Sequence, residues 1–366
     1  MKKRITPLTL LSFGGRLMMT ALLFTSTTAL RAQTVGESFT TTDGLTYTVV
    51  SDAQPASVIV TGGSVASNNL SIPATVENGG ATFAVTAIAD EAFKSSNVVT
   101  LDLTAATNLQ RIGASAFAEC KKLETVTFPA ADASCLTEIG TRAFCHDFAL
   151  KSMNLEDTHI EVLETIFTLE ESDEISIPGL TILRFPYTLK EIKSYALQCL
   201  DITEIRIPST VTTIGDYVLQ GCINLQEFTW KGAQITSLPL HTFAYVGESL
   251  LKVTLLTMDP LLPDGLTDKH FYRIGADPSP AEVTVTRESI ANLATAGYTN
   301  ETAIFSTLVA YDGDPSDPDT PTAIAAPKAV SVASADNTYY NLQGQRITAP
   351  QRGHLYIYNG RKVFIR

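Results

Sequence analysis

Apolar positions along the chain repeat with a period near 24 residues. An apolar residue followed five positions later by Phe or Leu occurs seven times: Ile88 with Phe93, Ile112 with Phe117, Ile139 with Phe144, Val162 with Phe167, Ile192 with Leu197, Ile214 with Leu219 and Leu238 with Phe243. Successive first members lie 24, 27, 23, 30, 22 and 24 residues apart. A period of this length is typical of a solenoid, whose stacked units bury one continuous core.

A short alternating segment follows each pair and predicts a β-strand. Residues 123–129, 180–186 and 202–208 share the order apolar, two other residues, apolar, any residue, apolar, proline, and residues 225–230 repeat it without the proline. Alternation is the period of a half-buried strand, and proline ends its hydrogen-bonding ladder. Trp230 occupies an apolar position of this pattern, so we expect it in the core.

The outward positions of these strands should form columns on the concave face of the solenoid. Mixed Thr, acidic and Arg side chains suit a protein-contact surface, although an ordinary solvated sheet face has the same composition. We expect the binding face to consist of Thr100, Asp102, Thr125, Thr127, Ser152, Asn154, Arg184, Glu204, Arg206, Glu227, Thr229, Lys252 and Thr254.

The aromatic members of the pairs, and the cysteines near them, predict the interior of the convex side. We expect an aromatic spine of Phe93, Phe117, Phe144, Phe167 and Phe243. Four cysteines lie close to the spine positions and should be buried thiols: Cys120, Cys145, Cys199 and Cys222. Cys135 falls outside the pattern and should be exposed, and no CxxC spacing indicates a metal or redox site.

The first 32 residues have the pattern of a secretory signal. Basic residues 2–4 precede an apolar run at 17–24, and small residues follow up to Ala32, which predicts cleavage after Ala29 or Ala32. The alternative is a membrane anchor, but Gly14, Gly15 and Arg16 leave the run far below the roughly 20 residues that span a bilayer. We therefore expect export, with no transmembrane span in the mature chain.

Removal of that segment makes the chain strongly acidic. The whole chain has 26 basic and 38 acidic residues, and residues 1–32 contain five of the basic residues and no acidic one. The mature chain then carries 21 basic and 38 acidic residues, a net charge of −17. This excess argues against nucleic acid or an anionic membrane as the partner.

Two runs carry a family resemblance. Residues 112–123 (IGASAFAECKKL) and 214–222 (IGDYVLQGC) resemble the repeat of the BspA-like bacterial leucine-rich proteins, and Leu219 replaces the family's usual Phe. Residues 44–49, 70–73 and 83–88 resemble the family's N-terminal opening, and 283–296 its closing cap. The resemblance covers about residues 36–310. It implies a mainly β right-handed horseshoe with short helical or 3-10 turns on the convex side, and a role in surface attachment.

The C-terminal region differs from the repeats. Residues 312–321 form an acidic, Pro-rich linker, and residues 322–366 resemble the sorting tails of the type IX outer-membrane route. We therefore expect contact with outer-membrane secretion machinery and a cell-surface or extracellular location. The predicted organisation is a signal at 1–32, an N-terminal cap and first strand at 33–84, seven repeats at 85–258, a C-terminal cap at 259–311, the linker, and a tail of two or three short strands.

An acidic insertion lengthens one repeat at about residues 168–179. It carries Glu170, Glu171, Asp173 and Glu174. Charge runs usually form solvated loops, and that interpretation stands beside a protruding acidic contact or a weak calcium site.

Motifs of catalysis are not found in the sequence. The five histidines lack zinc-site spacing, and there is no nucleophile elbow, P-loop or dinucleotide fingerprint. Cys145 next to His146 does not make a nucleophile pair, because sequence neighbours generally point apart. We predict no cofactor and no enzyme activity, but a surface protein that binds host extracellular-matrix or neighbouring-cell proteins. The alternatives are a glycan-binding or nutrient-capture protein and, more remotely, a hydrolase with an unrecognised site.

Overall fold

The computed structural model describes residues 34–64, 68–167, 179–246, 249–267, 269–271, 279–295, 305–311, 339–340, 346–347, 355–358 and 361–364. The predicted signal, the linker at 312–321 and residues 168–178 of the acidic insertion lie outside this part of the chain. Two compact units are present, Met1–Asp319 and Thr320–Arg366.

The first unit opens with a small antiparallel cap. Strands β1 (Ser38–Thr40), β2 (Leu45–Ser51) and β3 (Ser57–Gly63) form a meander, and β5 (Thr75–Asn78) pairs antiparallel with β6 (Ala81–Ile88). Strand β3 also pairs in parallel with β6. Alternate residues of β2 are buried, among them Tyr47, whose ring stacks on Phe39 with centroids 5.6 Å apart. The cap therefore covers the N-terminal end of the solenoid core.

A column of parallel strands forms one face of the coils, here named the front sheet. Among the described residues it comprises β4 (Asn69–Ser71), β7 (Thr100–Asp102), β9 (Thr125–Thr127), β11 (Ser152–Asn154), β13 (Ile182–Arg184), β15 (Glu204–Ile207), β17 (Glu227–Lys231), β18 (Lys252–Leu256), β19 (Ser279–Thr286) and β20 (Phe305–Tyr311). The hydrogen-bonded groups are β4-β7-β9, β11-β13 and β15-β17-β18-β19-β20. The predicted fold class, a mainly β leucine-rich-repeat solenoid, is confirmed.

Shorter strands form a second column, here named the side ladder. Its members are the end of β6, β8 (Arg111–Ile112), β10 (Glu138–Ile139), β12 (Val162–Leu163), β14 (Glu191–Ile192) and β16 (Thr213–Ile214). Strand β6 continues into β8 and β10, and β12 into β14 and β16. The first members of the first six predicted pairs lie here, whereas Leu238 is not part of a strand.

One of those assignments is wrong. Leu163, not Val162, pairs with Ile192 in the side ladder, and Leu163 is buried while Val162 is partly exposed. Two adjacent apolar residues satisfy the spacing equally well, and this coil reaches Phe167 one residue sooner than its neighbours do. Only the packing direction distinguishes the two residues.

The convex connections, here named the back turns, are hydrogen-bonded turns. In the first of them the N–H groups of Glu91, Phe93 and Ser95 donate to carbonyls of the following coil at 2.8–2.9 Å, and the N–H groups between them close local bonds three residues back. Glu91 and Ser95 have φ values of 56° and 58°. Non-glycine residues are uncommon in this left-handed region, and coil-to-coil hydrogen bonds hold them there.

Every back turn buries one Phe or Leu. The rings of Phe93, Phe117 and Phe144 stack with centroids 5.5 Å apart and planes within 8°. This run is named the inner aromatic stack. Phe167 is buried, and Phe243 is buried against Phe271 with centroids 5.2 Å apart. The predicted spine is thus confirmed as a buried column.

The cysteines and Trp230 lie where the repeat predicts. Cys120, Cys145, Cys199 and Cys222 are buried, and Cys135 is exposed. Burial raises the pKa of the Cys222 thiol to about 12, so this thiol stays protonated. Trp230 is 1% exposed, and its ring N–H donates to the Val211 carbonyl at 3.3 Å.

One buried carboxyl interrupts the apolar interior. Asp147 follows Phe144 at the offset at which Cys120 follows Phe117, and it is 2% exposed. Within the described chain neither carboxyl oxygen has a hydrogen-bond partner. Burial raises the pKa of this carboxyl to about 9, and the opposing Cys120 N–H is already donated to the Phe117 carbonyl at 3.1 Å. Asp147 is therefore protonated at neutral pH.

The C-terminal elements are short. Helix α1 (Arg287–Thr295) follows β19, close to the predicted helix-like stretch from Glu288 to Ala296. The second unit contains an antiparallel sheet in the order β22 (Arg346–Ile347), β21 (Tyr339–Tyr340), β23 (Leu355–Tyr358) and β24 (Arg361–Phe364). Across the described ranges, no helix is long and apolar enough to span a bilayer.

Candidate functional site

The outward side chains of the front sheet form two columns. All thirteen residues of the expected binding face lie on its strands, and the register places them side by side. Thr100 pairs with Thr125, Asn154 with Arg184, Glu204 with Glu227 and then Lys252, and Arg206 with Thr229 and then Thr254. The columns are therefore real, and their role in binding stays a prediction.

One member of the set does not belong to the accessible face. Thr254 is only 8% exposed. It is a short side chain flanked in register by Thr229 and Thr284 on the neighbouring strands β17 and β19. The alternation predicted its direction correctly, but not the cover that its neighbours provide.

The first coils of the front face carry small uncharged groups and one ordered carboxylate. Asp102 accepts hydrogen bonds from the Thr104 hydroxyl at 2.6 Å, the Thr104 N–H at 2.9 Å and the Thr127 hydroxyl at 3.3 Å. These bonds, led by the Thr104 hydroxyl, lower the pKa of Asp102. On the strands β7, β9 and β11 this part of the face is polar, and Asp102 is its one acidic side chain.

The later coils of the front face place like charges side by side. Glu204 and Glu227 are directly paired across β15 and β17, and both are exposed. Arg206 binds Glu204 within the same strand, and Arg184 lies 3.8 Å from Glu156. Lys252 is in register with Glu227 on its other side, so the later coils present acidic and basic side chains next to each other.

Sequence reasoning missed further members of the columns. Asn69 and Ser71 on β4 pair with Thr100 and Asp102, and Ile182, which is 52% exposed, pairs with Ser152. The signal was available in Leu70-Ser71-Ile72-Pro73, which has the same alternation and closing proline as the later strands.

A groove of about 890 Å³ opens at the side ladder, where β10 and β12 do not pair. Its wall includes Arg111, which donates to Asp90 and to Glu138 at 2.8 Å each. The hydrogen bond from Arg111 is the main cause that lowers the pKa of Asp90. Within the described ranges, no cluster of His, Cys, Asp and Glu has the geometry to hold a metal ion.

A second aromatic stack lies on the outside of the back turns. The ring of Tyr217 stacks on Tyr195 with centroids 5.1 Å apart and on His241 with centroids 4.4 Å apart, and the planes lie within 7° and 4°. We name these three residues the outer aromatic stack. Sequence reasoning missed it, although all three stand at the third position after the first members Ile192, Ile214 and Leu238.

Coils that each combine a front strand with a back turn burying Phe or Leu define a leucine-rich-repeat domain. Residues 86–182 and 178–258 match the BspA type leucine rich repeat region, in six copies. This part of the chain therefore consists of BspA-type repeats. No curated protein sequence is significantly similar to the chain.

Solved structures of bacterial proteins are similar to the chain at low identity. A leucine rich cell surface protein of Faecalibacterium prausnitzii is 16% identical, with 76% of this chain and 96% of that chain covered and a TM-score of 0.40. A leucine rich repeat protein of T. pallidum is also 16% identical, with 72% and 98% covered and a TM-score of 0.39. The pneumococcal vaccine antigen PcpA is 15% identical, with 77% and 100% covered and a TM-score of 0.31. At these TM-scores the likenesses give no indication of function.

Proposed function

We propose that this protein is an exported bacterial surface protein whose front face binds other proteins, with adhesion to host extracellular-matrix or neighbouring-cell proteins as its role. The observation that carries the proposal is the in-register pair Glu204 and Glu227. Arg206 binds Glu204 within its own strand and Lys252 is in register with Glu227, so these exposed side chains form one patch of alternating charge that a partner of complementary charge can match.

The rigidity of the sheet supports the same proposal. The backbone of β15 is hydrogen-bonded to β17, and β17 to β18, so the side chains of Glu204, Arg206 and Glu227 are held at fixed spacing. Little backbone entropy of the front sheet is then lost when a partner binds. The acidic mature chain favours basic protein surfaces over nucleic acid.

The location rests on the terminal segments. The signal at 1–32 supports export, and the tail at 322–366 supports delivery to the outer membrane or the medium through its secretion machinery. From residue 322 onward the chain has six basic residues and one acidic residue, opposite in charge to the repeats.

The test is binding of the full chain to immobilised extracellular-matrix proteins and glycans at low and moderate salt. In the variant Glu204→Ala/Arg206→Ala/Glu227→Ala, binding should fall at least about tenfold while the unfolding temperature does not fall, since all three side chains are exposed. The matched control is Glu161→Ala/Lys190→Ala/Glu191→Ala, which changes the net charge equally on the side ladder.

An equal loss of binding in both variants would show that only net charge matters. Unchanged binding in the first variant would show that the binding site lies outside the front face. Saturable binding to glycans alone would replace the protein-binding proposal by glycan capture.

A further inference from the structure

One step of the side ladder is open within the described coils from β6 to β16. At the paired steps, an N–H of one coil donates to a C=O of the coil before it, as from Gly140 to Ile112 at 2.9 Å. The same pattern would join the Glu164 N–H to the Ile139 C=O, but β10 and β12 do not pair. The ladder is therefore interrupted here, and it continues between β12 and β14.

The open step places backbone groups of both coils in the wall of the groove of about 890 Å³. On one coil these are the C=O groups of Thr137 and Ile139, and on the next coil the N–H groups of Glu161 and Glu164. All four residues line the groove, and within the described chain no backbone hydrogen bond joins these groups across the open step. The groove thus offers acceptors from one coil and donors from the next, as the two neighbours of a parallel strand do.

Hydrogen bonds between the same two coils bound the groove at both ends. The His159 N–H donates to the Leu136 C=O at 2.7 Å before the open step, and the Arg142 N–H donates to the Thr165 C=O at 2.9 Å after it. The opening is therefore short, and the coils do not have to separate for a ligand to reach the backbone groups in the wall.

The groove also carries an excess of negative charge. Its wall contains three acidic residues, Glu138, Glu161 and Glu164, and one basic residue, Arg111, which gives a net charge of −2. Two charges next to the wall cancel each other, because Asp90 binds Arg111 and a lysine of the following coil binds Glu161. Glu164 forms no ion pair with another described residue, so its carboxylate is available to a cationic group.

The geometry points to a groove that binds a basic peptide segment of a partner protein in extended conformation, as an added strand. Backbone N–H groups of such a peptide can donate to Thr137 and Ile139, and its C=O groups can accept from Glu161 and Glu164. Lys or Arg side chains of the peptide then bind the carboxylates of the wall. Val162, which lines the groove and is partly exposed, offers an apolar contact to the side chains between them.

The backbone groups, together with the charge, define this partner. A polyamine or a metal cation carries positive charge without alternating donors and acceptors, and a neutral sugar lacks the charge. The volume lies within the roughly 300–1,000 Å³ of small-ligand sites, so the groove takes a short segment and not a folded domain. The site lies on the side ladder, and it does not depend on binding at the front face.

Binding of a fluorescent peptide to the full chain tests the proposal. The probe is the acetylated sequence Lys-Val-Lys-Val-Lys, followed by fluorescence anisotropy at low salt. In the variant Glu138→Gln/Glu164→Gln the dissociation constant should rise at least about tenfold, because charge-assisted contacts are lost. The matched control Glu77→Gln/Glu124→Gln removes two exposed carboxylates elsewhere and should change the dissociation constant less than about twofold.

A second test alters the peptide and leaves the protein unchanged. N–H groups along a strand alternate in direction, so only one alternate set can face the C=O groups of Thr137 and Ile139. The probe N-methylated at both valines and the probe N-methylated at its second and third lysines have the same charge and the same number of methyl groups. Their dissociation constants should differ at least about tenfold, because only one of them loses the backbone hydrogen bonds.

Equal dissociation constants of the two methylated peptides would overturn the proposal, as would a probe that shows no saturable binding. Equal losses in Glu138→Gln/Glu164→Gln and its control would mean that net charge alone attracts the peptide. Spermine that displaces the probe as effectively as the unlabelled peptide does would replace the peptide site by a polycation site. Probe binding that is lost only in Glu204→Ala/Arg206→Ala/Glu227→Ala would assign the peptide to the front face instead.

Discussion

The early and late coils of the solenoid place their aromatic rings on opposite sides of the same back turn. In the early coils Phe93, Phe117 and Phe144 stack inside the core and the outer positions are polar. In the late coils Leu197 and Leu219 fill the core, and the rings of the outer aromatic stack lie on the surface. The coil spacing brings rings into stacking distance on either side, so one backbone supports a stabilising stack and a surface stack.

The charged side chains of the front face also differ between the early and the late coils. Both regions carry ion pairs at the side ladder, as between Arg111 and Glu138 and between Lys190 and Glu161, but the early front strands β7 and β9 have Asp102 as their one acidic side chain. The late coils place Glu204 and Glu227 on the front face in direct register. A repeat fixes where side chains point and leaves their chemistry free, so each region can carry a different surface.

The largest expected effect separates the two aromatic stacks. Phe117→Ala should lower the free energy of unfolding by about 4 kcal/mol, because it leaves a cavity between two stacked rings. Tyr217→Ala, in the middle of the outer aromatic stack, should cost about 1 kcal/mol or less, because its cavity fills with water. Urea unfolding followed by circular dichroism measures both. Equal costs would contradict the division into a stabilising and a surface stack.

Asp147 should lower the free energy of unfolding of the early coils. Asp147→Val removes a buried carboxyl that lacks a partner among the described residues, and should raise the free energy of unfolding by about 2 kcal/mol near pH 4 and by more at pH 8. Because burial raises the pKa of Asp147 from 3.8 to about 9, the unfolded chain releases this proton at lower pH than the folded chain. Stability is therefore full below pH 3.8 and is lost as pH rises toward 9.

The pH dependence distinguishes this cause from better packing. The gain from Asp147→Val should be smallest near pH 4 and should grow up to pH 8, as followed by urea unfolding at each pH. A gain that is the same at every pH would mean that the valine packs better and that the carboxyl titrates normally.

The smallest expected effect concerns the charge pattern. Arg111→Ala should cost about 0.5–1 kcal/mol at low salt, because its ion pairs with Asp90 and Glu138 are partly exposed. The cost should shrink at high salt. An effect that salt does not change would assign the role of Arg111 to packing of its aliphatic part.

The period of the sequence was sufficient to predict features that depend on direction alone. The buried Phe column, the four buried cysteines, exposed Cys135 and the two front columns follow from counting residues along one coil. The assignment of Val162 failed because an adjacent leucine satisfies the same spacing, and the assignment of Thr254 failed because cover by neighbouring strands has no local signal.

Features that arise between coils could not be predicted in the same way. The third position after the first member of each pair holds Glu91, Ser115 and Arg142 in the early coils and Tyr195 in a later coil. No single residue type therefore marks this position in the sequence. The outer aromatic stack becomes visible only when consecutive coils are superposed at their hydrogen-bonded register. For Asp147 the signal was available, because it follows Phe144 at the offset of the buried cysteines Cys120 and Cys222.

The hydrogen bonds of the back turns also give this side of the solenoid a net dipole moment. Their coil-to-coil hydrogen bonds all run the same way, from an N–H of one coil to a carbonyl of the next, as from Phe93 to Ala116, from Phe117 to Ala143 and from Leu197 to Val218. Strand dipoles in ordinary sheets largely cancel, whereas these aligned peptide groups add up, as they do in a helix. The back turns therefore form a dipole along the coil axis that is positive toward the C-terminal coils. An anionic group is attracted to the C-terminal end of the back turns and a cationic group to the N-terminal end.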